Sequence, residues 1–550
     1  MANPAKGSRR TGTFTLGGEQ AEADPLLQDG FYESATYLTI AAHDDPRCFL
    51  VGRTGVGKSA LLQRLEEDRP GHVIRITPED LSLPYIADLT VVRYLTDLQV
   101  HLDPLFIALW KHVLLIEVIK NRYHVDSPDA KRNFIQNLRS RISRDRSKLA
   151  ALEYLEEFEG KFWCETDERV RDITTRFESQ IEAEAGGKLG LAGVGVIDTR
   201  GSALDASSVE TRVQQAERFQ RVVNATQLPR LNQMMNVLDE DILDSSQYYT
   251  YVVIDDLDRD WADEQVANSL IRCLFRAVID LKRVRNLKII VALRTNIFEA
   301  LDFGSKTGGQ EEKFRSLTLR MRWTSLDLED LLSERTRASA ARHELLQIGS
   351  IRDLLPATNK TRGSALEYIL RRTLMRPRDA ISYFNECYTQ SGGKAKISWE
   401  TIHAAEHEYS VKRLLALRDE WKPNFPGLER VFDQFTGASV RIDPAELERR
   451  LEGAALLVAE PTFAGVVWMT ELAGPAWTSG PDDDWVDMYY PLVRLLYNVG
   501  FLGLTRSGNG PAIFAEEDAA FADLPRHVAE AGAFFVHPTF RASLDIRHDD

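Results

Sequence analysis

Residues 49–59 read FLVGRTGVGKS and contain the pattern G-x-x-x-x-G-K-S, which ends in Lys58 and Ser59. An apolar run precedes the pattern and leucines at helical spacing follow it, which predicts a loop between a strand and a helix. Glycines there let main-chain N–H groups point at phosphates, and the helix N-terminus adds its positive dipole end. We expect Lys58 to reach the β- and γ-phosphates of a nucleotide and Ser59 to ligate Mg²⁺. The expected nucleotide-binding residues are Gly52, Arg53, Thr54, Gly55, Val56, Gly57, Lys58, Ser59 and Ala60. The alternative is a glycine-rich turn without a ligand.

An acidic group follows a second apolar run, in the stretch VVIDDLDRDW at residues 252–261. We expect Asp255, at the end of a strand over 251–254, to hold Mg²⁺ through water. Asp256 could orient or deprotonate the water that attacks the γ-phosphate. Because aspartate is one methylene shorter than glutamate, slow turnover is expected. Taken alone, the strand could equally end in a solvated acidic loop, and that is how we interpret 258–260.

A third pattern, HAAEH at residues 403–407, matches the H-x-x-E-H zinc motif. It falls in an amphipathic helix predicted over 399–417, and the sequence offers no third metal ligand. We interpret His403 and His407 as part of an ordinary helix face.

Composition places the chain among globular proteins of several domains, with 550 residues, 43% hydrophobic and 27% charged. The sequence has neither an apolar stretch of membrane-spanning length nor a secretory signal, which predicts a cytoplasmic protein without membrane contact. The four cysteines show no C-x-x-C pairing and are expected to be reduced thiols; they are Cys48, Cys164, Cys273 and Cys387. A net charge of −15 opposes general attraction to nucleic acid.

The spacing of apolar runs predicts the domain organisation. A strand at 72–77 is separated from the acidic strand by far more than an ordinary crossover, which requires an inserted helical subdomain at about 85–245. Strands at 287–296 and 317–323 alternate with a helix at 263–282, which predicts a parallel α/β sheet. The predicted divisions are a flexible arm (1–25), an α/β core (26–325), a helical region (326–421) and a C-terminal domain (422–550).

Two regions bear on nucleic-acid binding. Within the inserted subdomain, 131–148 carries seven basic residues and one acidic residue on a predicted helix over 131–163, which is either a solvated face or a contact for nucleic acid or an acidic partner. The C-terminal region has a helix at 485–499, a hairpin around Ser-Gly-Asn-Gly and a last strand in FFVHPTF, which predicts a winged-helix-like module. Residues 481–550 hold five arginines, no lysine and twelve acidic residues, which favours docking to protein over DNA.

The combination of GRTGVGKS, VVIDDLDRDW, the strand ending in LRTN and the later RPRD resembles AAA+ P-loop ATPases of the origin-recognition and STAND type. More closely, the chain is similar to a group of bacterial P-loop ATPases of poorly defined role that are suspected in phage defence, and FFVHPTF is typical of that group. The resemblance implies an AAA+-like α/β core with a large helical insertion, a helical lid at 326–421 and the winged-helix-like module.

The same resemblance implies roles for four further residues. Asn296, with Arg294, falls at the sensor-1 position. Arg315 falls where such ATPases carry an arginine finger that reaches a neighbouring subunit's γ-phosphate, and Arg378 matches a sensor-2-like arginine on the lid. A positioned guanidinium stabilises the charge that phosphoryl transfer spreads over the γ-oxygens. Surface ion pairs are the alternative for Arg294 and Arg315.

The function implied is a switch that binds and slowly hydrolyses ATP with Mg²⁺, forms a homo-oligomer if Arg315 acts in trans, and recruits a protein partner or effector. Asp256 stands where many AAA+ members have glutamate, which, with the large insertion, favours a switch over a motor. Two alternatives remain open: a DNA-binding ATPase of origin-recognition type, with DNA possible but not favoured, and a scaffold that binds nucleotide without hydrolysis.

Overall fold

A computed structural model describes the chain in two compact units. The sheet unit comprises 35–53 and 61–321, and the helical unit comprises 1–34, 54–60 and 322–550. The described residues are 14–76, 102–124, 128–142, 228–257, 264–301, 314–345, 347–358, 360, 362–392, 394–480, 484–506 and 510–547. The predictions for 1–13, 77–101, 143–227 and 258–263, together with Cys164, lie outside them.

The sheet unit is built on five parallel strands in the order β2-β3-β4-β1-β5. Their bounds are β1 Phe49–Val51, β2 Val73–Ile76, β3 Thr250–Ile254, β4 Leu287–Leu293 and β5 Thr318–Arg320. β3 and β4 are buried along their whole length, as expected for parallel strands rich in β-branched residues and covered on both faces. Because all five strands are parallel, their carboxyl ends share one edge of the sheet.

The helices of this unit carry most of its core. They are α1 Ala35–Ala41, α2 Lys58–Asp68 (whose first residues belong to the helical unit), α3 Asp103–Tyr123, α4 Pro128–Ile142, α5 Leu228–Val237, α6 Glu264–Leu281 and α7 Thr295–Ala300. The apolar helix α3 is buried against the same core as α6. Trp110 donates from Nε1 to the carbonyl of Leu270 at 2.9 Å, and Asp103 pairs with Arg272 and Arg276. The described part of the insertion is therefore packed into the sheet unit.

Two strands are shorter than the sequence predicted. β4 ends at Leu293, since Arg294 is the residue that caps α7 and its carbonyl accepts from the Phe298 N–H at 3.0 Å. β5 covers only Thr318–Arg320, within the predicted 317–323. Of the helix predicted at 131–163, the structure describes the part up to Ile142, which belongs to α4.

The helical unit begins with four helices, α8 Ser325–Arg342, α9 Ala365–Leu370, α10 Pro377–Gln390 and α11 Trp399–Trp421. A capping box between Thr324 and Asp327 starts α8, and the Ser398 side chain caps α11. The predicted flexible arm (1–25) is wrong for its described part, because Phe14 and Leu16 are buried in the core of these helices. The alternation Thr-Phe-Thr-Leu at 13–16 places two apolar side chains on one face of an extended chain.

A second core of the helical unit lies C-terminal to α11. Its elements are α12 Leu428–Asp433, α13 Pro444–Leu456, α14 Val467–Thr478, α15 Trp485–Asn498, β6 Leu502–Thr505, β7 Ala512–Ile513, α16 Pro525–Ala529 and β8 Phe534–Val536. The strands form an antiparallel sheet in the order β7-β6-β8. Among the described residues, no helix is long and apolar enough to span a bilayer.

Candidate nucleotide-binding site

The glycine-rich loop directly follows β1 and leads into α2. Gly52 donates to the carbonyl of Leu293 at 3.2 Å, which extends the β1–β4 pairing by one residue. Gly55 and Gly57 have φ values of +80° and +100°, and α2 starts at Lys58. Backbone in this left-handed region is readily adopted only by glycine. The sequence thus forms a tight turn that ends at a helix N-terminus, the geometry that suits phosphate.

Within the helical unit, residues at or next to the ends of α8, α10 and α11 hydrogen-bond the loop backbone. Arg376 donates from Nη1 to the carbonyl of Thr54 at 2.8 Å, and the N–H of Thr54 donates to Glu420 Oε1 at 3.3 Å. Trp323, just before α8, donates from its indole to the carbonyl of Val56 at 2.9 Å. The loop conformation is therefore fixed by residues more than two hundred and fifty positions away in the chain.

Arg376 belongs to a buried ion-pair network. Its Nε lies 2.9 Å from Asp379 Oδ2 and its Nη1 lies 3.0 Å from Glu420 Oε2. Asp379 Oδ1 also pairs with Arg413 at 3.1 Å. Burial alone would raise the pKa of Asp379, but the charges of Arg376 and Arg413 outweigh it and lower the pKa to about 2. Asp379 is therefore an ionised carboxylate shared by two arginines.

Arg378, the expected lid arginine, lies directly against the loop. Its main-chain N–H donates to the carbonyl of Gly55 at 3.3 Å, and its Nε donates to the carbonyl of Glu19 at 3.0 Å. A Cβ on Gly55 would come within 3.0 Å of the Arg378 Cβ and Cδ atoms, a second reason why this position needs glycine. Burial lowers the pKa of Arg378, although the nearby carboxylate of Asp379 opposes that effect.

In the sheet unit, Asp255 follows β3 and is 3% exposed. Its Oδ1 accepts a hydrogen bond of 2.9 Å from the Asp256 N–H, and its Oδ2 lies 3.5 Å from Nη2 of Arg75 on β2. Asp256 has a φ of +57°, a left-handed conformation that aspartate and asparagine tolerate better than other side chains. The backbone at this position therefore favours the aspartate that the sequence has.

Arg294 and Asn296 lie at the same sheet edge as Asp255. β3 and β4 are neighbours, with Ile254 opposite Val291, and Arg294 comes directly after β4. Asn296 is in the first turn of α7 instead of on the predicted strand, and both side chains are half-buried. Arg315 is exposed, in the last helical residues before β5.

The HAAEH residues make other contacts. Glu406 pairs with Arg372 at 2.6 Å and accepts from the Tyr368 hydroxyl, while His403 Nδ1 lies 3.1 Å from that hydroxyl. His407 donates from Nδ1 to the carbonyl of Ala542 at 3.1 Å. The structure thus gives this motif a packing role within the helical unit.

Arg376, Glu420 and Arg75 are not among the site residues that the sequence predicts. Arg376 stands in the RPRD motif beside Arg378, so the motif itself carried a signal. Arg75 carried a weaker one, since it is a charged residue on a short apolar strand (VIRI). No local sequence pattern identifies Glu420, because its role near the end of α11 depends on contacts with Thr54 and Arg376 in the folded unit.

Two comparisons place the chain among known proteins. Residues 326–418, which contain nearly all of α8, the whole of α9 and α10 and most of α11, match the family described as "FunZ-associated C-terminal helical domain". The chain is also 21% identical over 571 residues to an Escherichia coli (strain K12) protein named "Putative transposon gamma-delta 80.3 kDa protein". That alignment covers 97% of this chain and 67% of the relative. The chain is thus a mixed α/β protein with a five-stranded parallel sheet and a helical domain similar to the FunZ-associated family. It is also distantly similar to a protein named as a putative transposon protein.

Proposed function

We propose that the protein is a P-loop ATPase of the AAA+ type that acts as a slow nucleotide-dependent switch. The observation that carries this proposal is the loop at 52–57, which leaves the carboxyl end of a central parallel strand, turns through Gly55 and Gly57 with positive φ, and ends at the start of α2. Ligands of parallel α/β sheets bind outside the carboxyl ends of the strands. The backbone of this loop suits the phosphates of a nucleoside triphosphate, and the resemblance favours ATP.

The residues present fit Mg²⁺. The hydroxyl of Ser59 and the carboxylate of Asp255 are oxygen ligands of the kind that Mg²⁺ prefers, and one or two such groups suffice when phosphate and water complete the shell. When bound, the ion neutralises charge that develops on the β- and γ-phosphate oxygens. Lys58 binds the phosphates, and Asp256 orients the attacking water.

Four polar residues complete the proposed site. Asn296 and Arg294, half-buried after β4, bind near the γ-phosphate, and Arg378 stabilises its charge. The exposed Arg315 acts on the nucleotide of a neighbouring subunit, which makes the active form a homo-oligomer. The lid is the set of helices α8 to α11, and nucleotide-dependent closure changes how the insertion or the C-terminal module meets a partner.

The C-terminal module, α15 followed by the sheet β7-β6-β8, is winged-helix-like in this proposal. Its excess of acidic residues makes a protein effector the favoured partner. A role in phage defence rests on the resemblance, and a nucleotide-locked scaffold without hydrolysis remains an alternative form of the same switch.

A DNA-coupled ATPase is the second candidate. The name of the Escherichia coli relative refers to a transposon, a mobile DNA element. In addition, α4 carries Arg132 and Arg139 in exposed positions, which gives DNA phosphates a local basic surface.

The experiment is ATP turnover by purified protein, with and without double- and single-stranded DNA, using Lys58→Ala as the blank. A slow rate that DNA leaves unchanged supports the switch, and stimulation by DNA supports the second candidate. Nucleotide binding without turnover supports the scaffold. Turnover that survives Lys58→Ala contradicts the proposed site.

A further inference from the structure

The N-terminal segment, residues 14–30, is held against α8 and α10 of the helical unit by hydrogen bonds at both of its ends. Near its start, Asn385 of α10 accepts from the N–H of Leu16 at 3.0 Å and donates to the carbonyl of Gly17 at 2.8 Å. Near its other end, Arg342 of α8 donates from Nη2 to the carbonyl of Pro25 at 2.6 Å and pairs with the carboxylate of Asp29 at 2.7 Å. The segment is a defined element of this unit.

Asp24 organises the turn between these ends. Its side chain is 1% exposed and pairs with Arg335 at 2.6 Å. It also accepts from the N–H groups of Gly18 at 2.8 Å and Leu26 at 3.0 Å. Because the carboxylate is buried and fully engaged, residues 18–24 form a closed loop of fixed shape.

Glu19 lies on this loop and contacts two arginines of the lid. Its main-chain carbonyl accepts from Arg378 Nε at 3.0 Å, and its carboxylate accepts from Arg413 Nη2 at 3.0 Å. Arg413 also pairs with Asp379, which pairs with Arg376, the residue that hydrogen-bonds the carbonyl of Thr54. A continuous set of contacts thus connects Glu19 with the glycine-rich loop.

Arg378 is held by the main-chain carbonyl of Glu19 and not by a carboxylate. Among the described residues, no carboxylate lies within ion-pair distance of the Arg378 guanidinium, and Asp379, the acid with the largest electrostatic effect on it, already pairs with Arg376 and Arg413. A carbonyl oxygen fixes the direction of a guanidinium without neutralising it. The positive charge of Arg378 therefore stays available to an anion while its orientation is set in advance.

We infer that Glu19 is a positioning residue for Arg378: the N-terminal segment orients this arginine toward the terminal phosphate of a nucleotide on the 52–60 loop. The inference rests on the proposed function. The Glu19 carboxylate, through Arg413, keeps the carbonyl in place, and the carbonyl keeps the guanidinium in place. Loss of this orientation weakens the discrimination of ATP from ADP, because only ATP offers the γ-phosphate.

The test measures dissociation constants for ATP and ADP, each with Mg²⁺, in the full chain. We expect Glu19→Ala to weaken ATP binding about fivefold, because the charge-assisted contact of Arg378 with the γ-phosphate becomes disordered. ADP binding should be unchanged, because ADP lacks that phosphate. Glu19→Gln, which can still hydrogen-bond Arg413, restores part of the preference. The control is Glu22→Ala, an exposed acid of the same segment, which leaves both constants unchanged.

A double-mutant cycle separates positioning from general structure. If Glu19 acts through Arg378, Glu19→Ala has no further effect in an Arg378→Ala background. Equal weakening of ATP and ADP, or an effect that persists without Arg378, overturns the inference. If the wild-type protein prefers ATP and Glu19→Ala keeps that preference, only the role of Glu19 fails. If wild-type protein binds neither nucleotide, the proposed function fails and this inference with it.

Discussion

Arg376 Nη1 donates a 2.8 Å hydrogen bond to the main-chain carbonyl of Thr54, so that a buried arginine of the RPRD motif fixes the backbone of the glycine-rich loop. The same guanidinium pairs with Asp379 and Glu420. Arg376 therefore supports the loop, and in the function that we propose its neighbour Arg378 is the arginine that meets a phosphate.

Replacing Arg376 tests this division of roles. Arg376→Ala leaves the carboxylates of Asp379 and Glu420 buried without their shared partner, and we expect a loss of about 3–5 kcal/mol in the free energy of unfolding. Urea denaturation measures it. Arg371→Ala, at an exposed position in the preceding turn, is the control and should cost less than about 0.5 kcal/mol. Equal stabilities of the two variants would show that the network contributes little.

The ion pairs of Asp379 should also appear in the pH dependence of stability. Its pKa is lowered from 3.8 to about 2 in the folded protein. A carboxyl with a lowered folded-state pKa stabilises the fold above its unfolded-state pKa, and that stabilisation is lost as the pH falls through the folded-state value. We therefore expect the stability difference between wild type and Asp379→Asn to shrink by about 2 kcal/mol between pH 5 and about pH 2. A difference independent of pH over this window would argue against an ionised Asp379.

Asp256→Asn separates nucleotide binding from hydrolysis. Asparagine tolerates the φ of +57° at this position and should leave the fold and ATP binding intact, while hydrolysis is lost because the amide cannot accept a proton. Binding and single-turnover hydrolysis are measured on the same sample. Asp256→Glu is a second variant, in which the longer side chain must adopt the same left-handed backbone at a cost of about 1 kcal/mol. Unchanged hydrolysis in Asp256→Asn would remove Asp256 from the water-orienting role.

Arg75 gives the sheet unit a counter-charge for Asp255, at 3.5 Å from its carboxylate. In Arg75→Met the buried carboxylate lacks this cation, so we expect lower stability without metal and a larger rise in Tm on addition of Mg²⁺ and ATP than in wild type. Arg285→Met removes an exposed ion pair of the same unit and serves as the control. If both variants respond to Mg²⁺ like wild type, Arg75 does not balance the charge of Asp255.

Much of the sheet could be predicted from sequence, because buried parallel strands appear as short apolar runs. The run at 251–254 lies within β3, Thr250–Ile254, and 72–77 contains β2, Val73–Ile76. The end of β4 was misplaced, since LRTN continues the apolar run only in composition and its backbone turns at Arg294 to start α7. Local patterns identify a buried strand well and its exact end poorly.

The glycine-rich loop was evident from residue types alone, whereas its supporting contacts were not. Those of Arg376 and Glu420 to the loop join residues 322 to 366 positions apart in sequence, and no local pattern encodes them. For residues 1–25, a composition dominated by small residues predicts a flexible arm. The described part of that stretch has two buried apolar residues, Phe14 and Leu16, and their contribution to stability depends on the helices they contact.

Calorimetric titration of wild type and Lys58→Ala with ATP and Mg²⁺ tests directly whether the glycine-rich loop binds nucleotide. Lys58 begins α2 at the end of the loop, and removal of its charge from the phosphates should weaken binding at least about tenfold, or about 1.4 kcal/mol. We expect one binding site per chain in wild type and its loss in the variant, with circular dichroism spectra that show the same fold in both proteins. Equal affinity in the two proteins, or no binding by wild type, would contradict it.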